Sequence, residues 1–227
     1  MIQNIEKKLK ELFKNSFIYG LGSIAQSGLN FILIPVMTFF LTQEEFGIYS
    51  LILISGIIAS SIFYLGITSA LPRSYFDYDN EIKRKVIFST GFIIISLGAL
   101  TQTLIGYFLQ DNLSLFLFRK VMETEAIFWC FVLGSIGIII QYLLVFLRII
   151  RFAISSVLIN LFSLVLSLFL IIAALKFFPE NKILNSFIAL TISNLIILII
   201  LSCIIFFKHF VFRFNLEESK KLIVYGI

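Results

Sequence analysis

Four basic side chains stand where this chain could hold an anion. Arg73 lies in SALPRSYFDYD, directly after a long uncharged run; Arg148 and Arg151 share the short link between two later runs; Lys14 precedes the first run. A guanidinium offers a planar fork of donors that matches phosphate oxygens, and an ammonium adds a point charge. Arg73, Arg148, Arg151 and Lys14 are therefore candidate contacts to a phosphorylated ligand. The alternative for each is an orientation signal and contact with lipid headgroups.

Polar residues inside the uncharged runs recur at helical steps. Gly22, Gln26 and Asn30 are four apart, as are Gly56, Ser60, Tyr64 and Thr68; Gly98, Gln102 and Gly106 repeat the pattern. Gly134, Gly137 and Gln141, then Ser156, Asn160, Ser163 and Ser167, continue it, and Ser193 and Asn194 are adjacent. Such spacing puts each set on one helix face. Amides are costly in lipid, so these faces should turn inward. Gln26, Asn30, Tyr64, Gln102, Gln141, Asn160 and Asn194 are the candidate lining of a path for a hydrophilic solute. Packing between helices is the competing explanation.

Reactive chemistry is not offered. The runs hold no Ser/His/Asp, Cys/His or paired-carboxylate set, and the chain has no Walker A sequence. Cys130 and Cys203 make no zinc spacing and are expected in opposite leaflets, too far apart to bond. His209, among Lys208, Phe210 and Arg213, reads as an interfacial anchor, and Trp129 as an aromatic-belt residue. No catalytic residue, metal site or cofactor is expected, and the chain is not expected to be an enzyme.

The elements that must position these residues follow from composition. Of 227 residues, 59% are hydrophobic and only 14% charged, with a mean hydropathy of +1.04. A soluble domain carries about a quarter charged residues and cannot hide this much apolar surface. Six runs free of Asp, Glu, Lys and Arg extend from Asn15 to Gln43, Phe46 to Pro72, Val86 to Gln110, Ala126 to Leu147, Phe152 to Leu175 and Ile183 to Phe207. Each exceeds the roughly 20 residues that cross a bilayer as helix. None alternates with period two as a barrel strand would. The fold class expected is an all-α polytopic membrane protein, with spans near 17–41, 47–71, 86–109, 126–147, 152–175 and 184–207. Pro35 is expected to kink or break the first. Residues 1–14 form a basic segment, either an amphipathic helix on the membrane surface or a solvated tail, and 208–227 a linker with the start of a seventh helix.

Charge sets the orientation. Threading the spans in order puts fourteen of the eighteen Lys and Arg residues on one side. Cytoplasmic segments carry that excess, so both termini are expected in the cytosol, facing anionic lipids. The net charge of +5 needs no nucleic acid. A short repeat adds to this reading. Phe17-Ile18-Tyr19-Gly20-Leu21 is echoed by Ile223-Val224-Tyr225-Gly226-Ile227, where a seventh helix would begin from the same side. The chain is thus expected to be one half of a longer transporter with parallel halves.

Two blocks, KNSFIYGLGSIAQSGLNFILIPVMTFFLTQEEFGIYSL (Lys14 to Leu51) and GITSALPRSYFDYD (Gly66 to Asp79), together with the Arg148–Arg151 link and the KKLIVYGI tail, carry a family likeness. The chain resembles the polysaccharide transporter family of the multidrug/oligosaccharidyl-lipid/polysaccharide exporter superfamily, which includes O-antigen and related lipid-linked oligosaccharide flippases. The resemblance implies one six-helix lobe of a two-lobed exporter fold in the bacterial cytoplasmic membrane. It also implies a missing second lobe and an undecaprenyl-pyrophosphate-linked oligosaccharide as the substrate moved by alternating access. Arg73 matches the family's arginine after helix two. The chain departs from the pattern in having no arginine or lysine deep in a span. Other readings are a multidrug-type exporter lobe, for which no intramembrane acid is visible, and a membrane polysaccharide polymerase or ligase. The latter would have to use Arg119 and Lys120 in the outer connection from Asp111 to Glu125. A truncated, non-transporting fragment is the last reading.

Overall fold

A computed structural model describes residues 31–64, 66–78, 80–150 and 152–211, with Asn215, Ser219, Leu222, Val224 and Tyr225 beyond them. The described residues are helical, without strands: α1 (Phe31–Phe40), α2 (Gln43–Phe63), α3 (Ile67–Phe76), α4 (Glu81–Phe118), α5 (Thr124–Ile149), α6 (Ala153–Phe177) and α7 (Lys182–His209). Five segments are long and apolar enough to cross a membrane: Gln43–Phe76, Glu81–Phe118, Thr124–Ile149, Ile154–Phe177 and Lys182–Phe206. Most of the expected first span, with Lys14, Gln26 and Asn30, lies outside the described residues, as does Arg151. The described part of that span is helical on both sides of Pro35.

Helix limits differ from the expected ones where a cap, and not a charge, decides them. The second span does not run unbroken from 47 to 71. It starts at Gln43, where Thr42 and Glu45 form a reciprocal capping box: Glu45 N–H donates to Thr42 Oγ1 at 3.2 Å and Thr42 N–H to Glu45 Oε2 at 2.7 Å. It stops at Phe63, because Gly66 takes the left-handed conformation with φ 59°, which costs glycine nothing. α3 then continues past Pro72 to Phe76, so Arg73 lies in the last turn of a helix and does not follow one.

The helix that carries the third expected span, 86–109, extends beyond it at both ends. α4 has 38 residues, about 57 Å of helix, and it takes up much of the outer connection expected from Asp111 to Glu125. The link that remains, 119–123, begins and ends on left-handed residues, Arg119 and Glu123. Buried Ser114 holds it by accepting the Met122 N–H at 2.7 Å and donating to Lys120. A link this short leaves little room for the catalytic loop that a polymerase reading requires.

α5 is the axial helix and packs against α2, α3, α4, α6 and α7. Two apolar clusters occupy opposite ends of the bundle. One joins Met37, Tyr49, Ile52, Ile127, Phe131, Ile171 and Phe187. The other joins Ile67, Leu71, Phe88, Tyr142, Phe146, Leu201 and Leu222. Each long helix contributes its beginning to one cluster and its end to the other, so successive spans alternate in direction. The Glu44–Glu45 turn and the Lys83–Lys85 turn therefore sit at opposite ends. Fully buried Leu222 shows that the segment after α7 packs back on the bundle.

Candidate functional site

α2 and α5 leave an open groove of about 530 Å³ between them, lined by Gly56, Ser60, Tyr64, Gly134, Gly137 and Gln141 among apolar neighbours. It runs from Leu53 to Tyr64 along α2, about 17 Å by helical rise. Two of the expected lining residues, Tyr64 and Gln141, meet here. A third, Gln102, stands behind the groove on α4 with no exposed surface. Its Nε2 donates to Ser60 Oγ at 2.9 Å and approaches the Phe131 carbonyl at 3.4 Å. Ser60 Oγ in turn donates to Gly56 O at 2.8 Å. Gly134 makes this junction possible, since a Cβ there would lie 2.5 Å from Gln102 Nε2 and closer still to Ser60 Oγ. A parallel link ties Thr103 Oγ1 to Ser135 Oγ at 2.9 Å. The polar stripes of α2, α4 and α5 thus bond one another, and only the part facing outward is left for a solute.

The remaining stripes do not join this groove. Asn160 on α6 and Asn194 on α7 are half-buried and outside its lining. Buried Ser193 reaches the Ser163 carbonyl at 3.4 Å, a contact of the α6–α7 interface. Among the described residues, the groove on the α2–α5 face thus gathers the stripes of α2 and α5 and not those of α6 and α7. The groove's apolar majority and few convergent hydrogen-bonding groups suit a ligand that is partly polar and uncharged where it contacts the protein.

Beyond the groove, past Gly66, lies the cation-rich end. Arg73 is exposed, with its guanidinium carbon 4.4 Å from the centroid of the Tyr225 ring. Arg84 Nε donates to the Tyr78 carbonyl at 2.6 Å and its guanidinium lies 5.3 Å from the Tyr75 ring. Lys83 sits 5.1 Å from the Tyr78 ring. Arg148 is exposed in the last turn of α5. These aromatic partners were missed in the sequence, although Tyr75 and Tyr78 stand within a few residues of Arg73 in SALPRSYFDYD.

The opposite end carries a smaller polar cavity of about 400 Å³, lined by Thr42, Glu44, Glu45, Glu123, Asn181 and Lys182 among others. Lys182 Nζ lies 3.7 Å from Glu45 Oε2 and donates to the Phe40 carbonyl at 2.9 Å, tying the α1–α2 turn to the start of α7. Glu123 lines the same cavity at the start of α5. Burial, and then the charge of Glu45, hold its pKa above the ordinary glutamate value. An acid so shifted binds its proton more tightly folded than unfolded. Stability is then full below the unfolded value of about 4.3 and declines as pH rises towards the folded one. Glu123→Gln is expected to raise the melting temperature at pH 7 and to leave it unchanged near pH 4. Solvent screening should keep the gain to a degree or two. Thermal unfolding in detergent at the two pH values checks it.

Comparison with known proteins adds the following. A family model described as polysaccharide biosynthesis protein matches residues 12–227. A solved MOP superfamily transporter from Pyrococcus furiosus, described as having a binding pocket of reverse polarity, superposes with a TM-score of 0.62 at 18% sequence identity. The alignment covers 97% of this chain and 47% of that one, so the chain spans about half the length of the transporter whose fold it shares. No curated protein matches it.

Proposed function

Because the chain belongs to the polysaccharide biosynthesis protein family, we propose that it forms one six-helix lobe of a flippase. The substrate is an undecaprenyl-pyrophosphate-linked oligosaccharide, moved across the bacterial cytoplasmic membrane for surface polysaccharide synthesis. The cation-rich end and both termini face the cytosol and its anionic lipids. That assignment rests on the excess of Lys and Arg at this end. A second lobe closes the open side of the α2–α5 groove. The half-length coverage of the superposed transporter is what a single lobe would give.

One observation carries the substrate class. The groove presents hydroxyl and amide groups (Ser60, Tyr64 and Gln141), and it leads along α2 towards the helix break beyond which Arg73 stands. Uncharged donors and acceptors suit sugar hydroxyls, and a guanidinium suits the diphosphate. The two chemistries sit in the order in which a glycosyl diphosphate presents them. In this reading Arg73 engages the diphosphate at the cytosolic face, with Arg148 beside the same face. The sugar then enters the groove, and rocking of one lobe against the other transfers it.

The test is reconstitution into liposomes with a fluorescent lipid-linked oligosaccharide, followed by quenching from the outside. Tyr64→Phe with Gln141→Leu removes two hydrogen-bonding groups that line the groove. At about 0.5–1.5 kcal/mol each, the pair should slow transfer about fivefold or more, with the melting temperature unchanged. Transfer by the double variant at the wild-type rate would show that the groove does not carry the sugar.

A further inference from the structure

Arg73 does not meet Tyr225 by the accident of a loose tail. Several anchors bring the chain after α7 across the cation-rich end. Val211 N–H donates to Ser89 Oγ at 3.0 Å and Asn215 N–H to Thr90 Oγ1 at 3.3 Å. Ser219 is buried, and Leu222 fills the cluster of Ile67, Leu71 and Phe146 without exposed surface. Tyr225 follows three residues later, half open to solvent, beneath the Arg73 guanidinium. It belongs to the repeated Tyr-Gly motif (Tyr19-Gly20 and Tyr225-Gly226).

A ring face attracts a guanidinium without consuming a single N–H donor. That separates Arg73 from Arg84, whose Nε is already given to a backbone carbonyl. The long arginine side chain otherwise samples many rotamers, and a ligand must pay to order it. A guanidinium parked over a ring keeps its fork of donors free while its position is already restricted.

We propose that Tyr225 is a positioning residue for phosphate. Its ring holds the Arg73 guanidinium in place at the cytosolic mouth, so that a diphosphate meets a pre-ordered fork. The proposal rests on the reading of Arg73 as a diphosphate contact. It also gives the segment after α7 a part in ligand recognition, because that segment supplies the ring.

The test measures binding of inorganic pyrophosphate to the full chain in phosphatidylcholine nanodiscs by isothermal titration. Tyr225→Phe and Tyr225→Trp keep a ring face and should bind as tightly as wild type or better. Tyr225→Leu keeps apolar bulk without a π face and should bind about two- to fivefold more weakly. In an Arg73→Ala background the Tyr225 variants should not differ, which a purely structural role of Tyr225 would not predict. Arg73→Lys, lacking the fork, should bind weakly whatever residue stands at 225.

Wild-type affinity in Tyr225→Leu overturns the positioning role alone, and tighter binding shows that the ring obstructs Arg73. Undiminished binding in Arg73→Ala overturns the diphosphate contact itself and the proposal with it. A second arm uses phosphatidylglycerol nanodiscs. The ranking should persist there. Abolition of pyrophosphate binding with Arg73 intact would assign the site to bilayer headgroups and overturn the diphosphate assignment.

Discussion

Gly134→Ala is expected to cost the bundle about 1–4 kcal/mol, although alanine is the better helix former. In an open helical position the exchange gains roughly 1 kcal/mol. At Gly134 the new methyl would collide with Ser60 Oγ and Gln102 Nε2, the pair that joins α2 to α4 across the face of α5. Overpacking typically costs 1–3 kcal/mol. Separating the pair also leaves the buried Gln102 amide without its Ser60 partner, and its Oε1 has no partner among the described residues. Interhelical hydrogen bonds in membranes are worth about 0.6–2 kcal/mol, so the two penalties outweigh the propensity gain. Gly137, one turn along on the same helix, supplies the control. A Cβ there meets nothing within 4 Å, and Gly137→Ala should be neutral or stabilising by up to about 1 kcal/mol. Thermal unfolding of both variants in the same detergent decides the matter. Equal melting temperatures would mean that the three-helix junction is not tightly packed.

A second large effect is expected at Tyr142. Its ring has no exposed surface and lies 5.7 Å from Phe88, which is itself 4.0 Å from Phe146, and Tyr75 closes the group 5.8 Å from Phe146. The phenol donates to the Phe88 carbonyl at 2.6 Å. Gly91 leaves space for it, since a Cβ there would stand 2.5 Å from the oxygen. In lipid the drive to bury apolar groups is weak, so close packing carries the association of helices. Tyr142→Ala removes a whole ring from such a junction and should cost about 3–5 kcal/mol. Tyr142→Phe keeps the ring and loses one hydrogen bond, at about 1–2 kcal/mol. The difference between the two, measured by denaturant titration in micelles, separates packing from hydrogen bonding. A Phe variant as damaged as the Ala variant would contradict this division.

Much of the architecture was legible because charge is so costly in a bilayer. Five of the six uncharged runs fall on helical segments long and apolar enough to cross a membrane, and the alternating ends of the bundle follow from their order. What charge does not mark is where a helix stops. Asp111 ends an uncharged run, yet α4 continues to Phe118, because a helix yields to a cap such as left-handed Arg119 and not to a carboxylate. Thr42 and Glu45, spaced as a capping box, were a readable start signal for α2. Gly66 was not readable as a break. In the sequence it looks the same as Gly56 or Gly134, which serve close packing, and only its backbone conformation sets it apart.

The site was legible in the same partial way. A period of four identifies a helix face but not the neighbour that face meets. Tyr64 and Gln141 turned to one groove and Gln102 to the wall behind it, while Asn160 and Asn194 belong to the α6 and α7 side of the bundle. Arg73 was singled out by its residue type. Its stacking on Tyr225 could not be, because the two are 152 positions apart in the chain and only the return of the segment after α7 unites them.

The interruption at Gly66 has a mechanical meaning. A continuous rod from Gln43 to Phe76 would have to swing as a unit, and Arg73 would move only if the groove wall moved with it. A joint of two or three residues confines compliance to a few torsion angles. The short arm bearing Arg73 is instead set by its own packing on α4 and α5, so the direction in which Arg73 points is independent of the line of the groove wall.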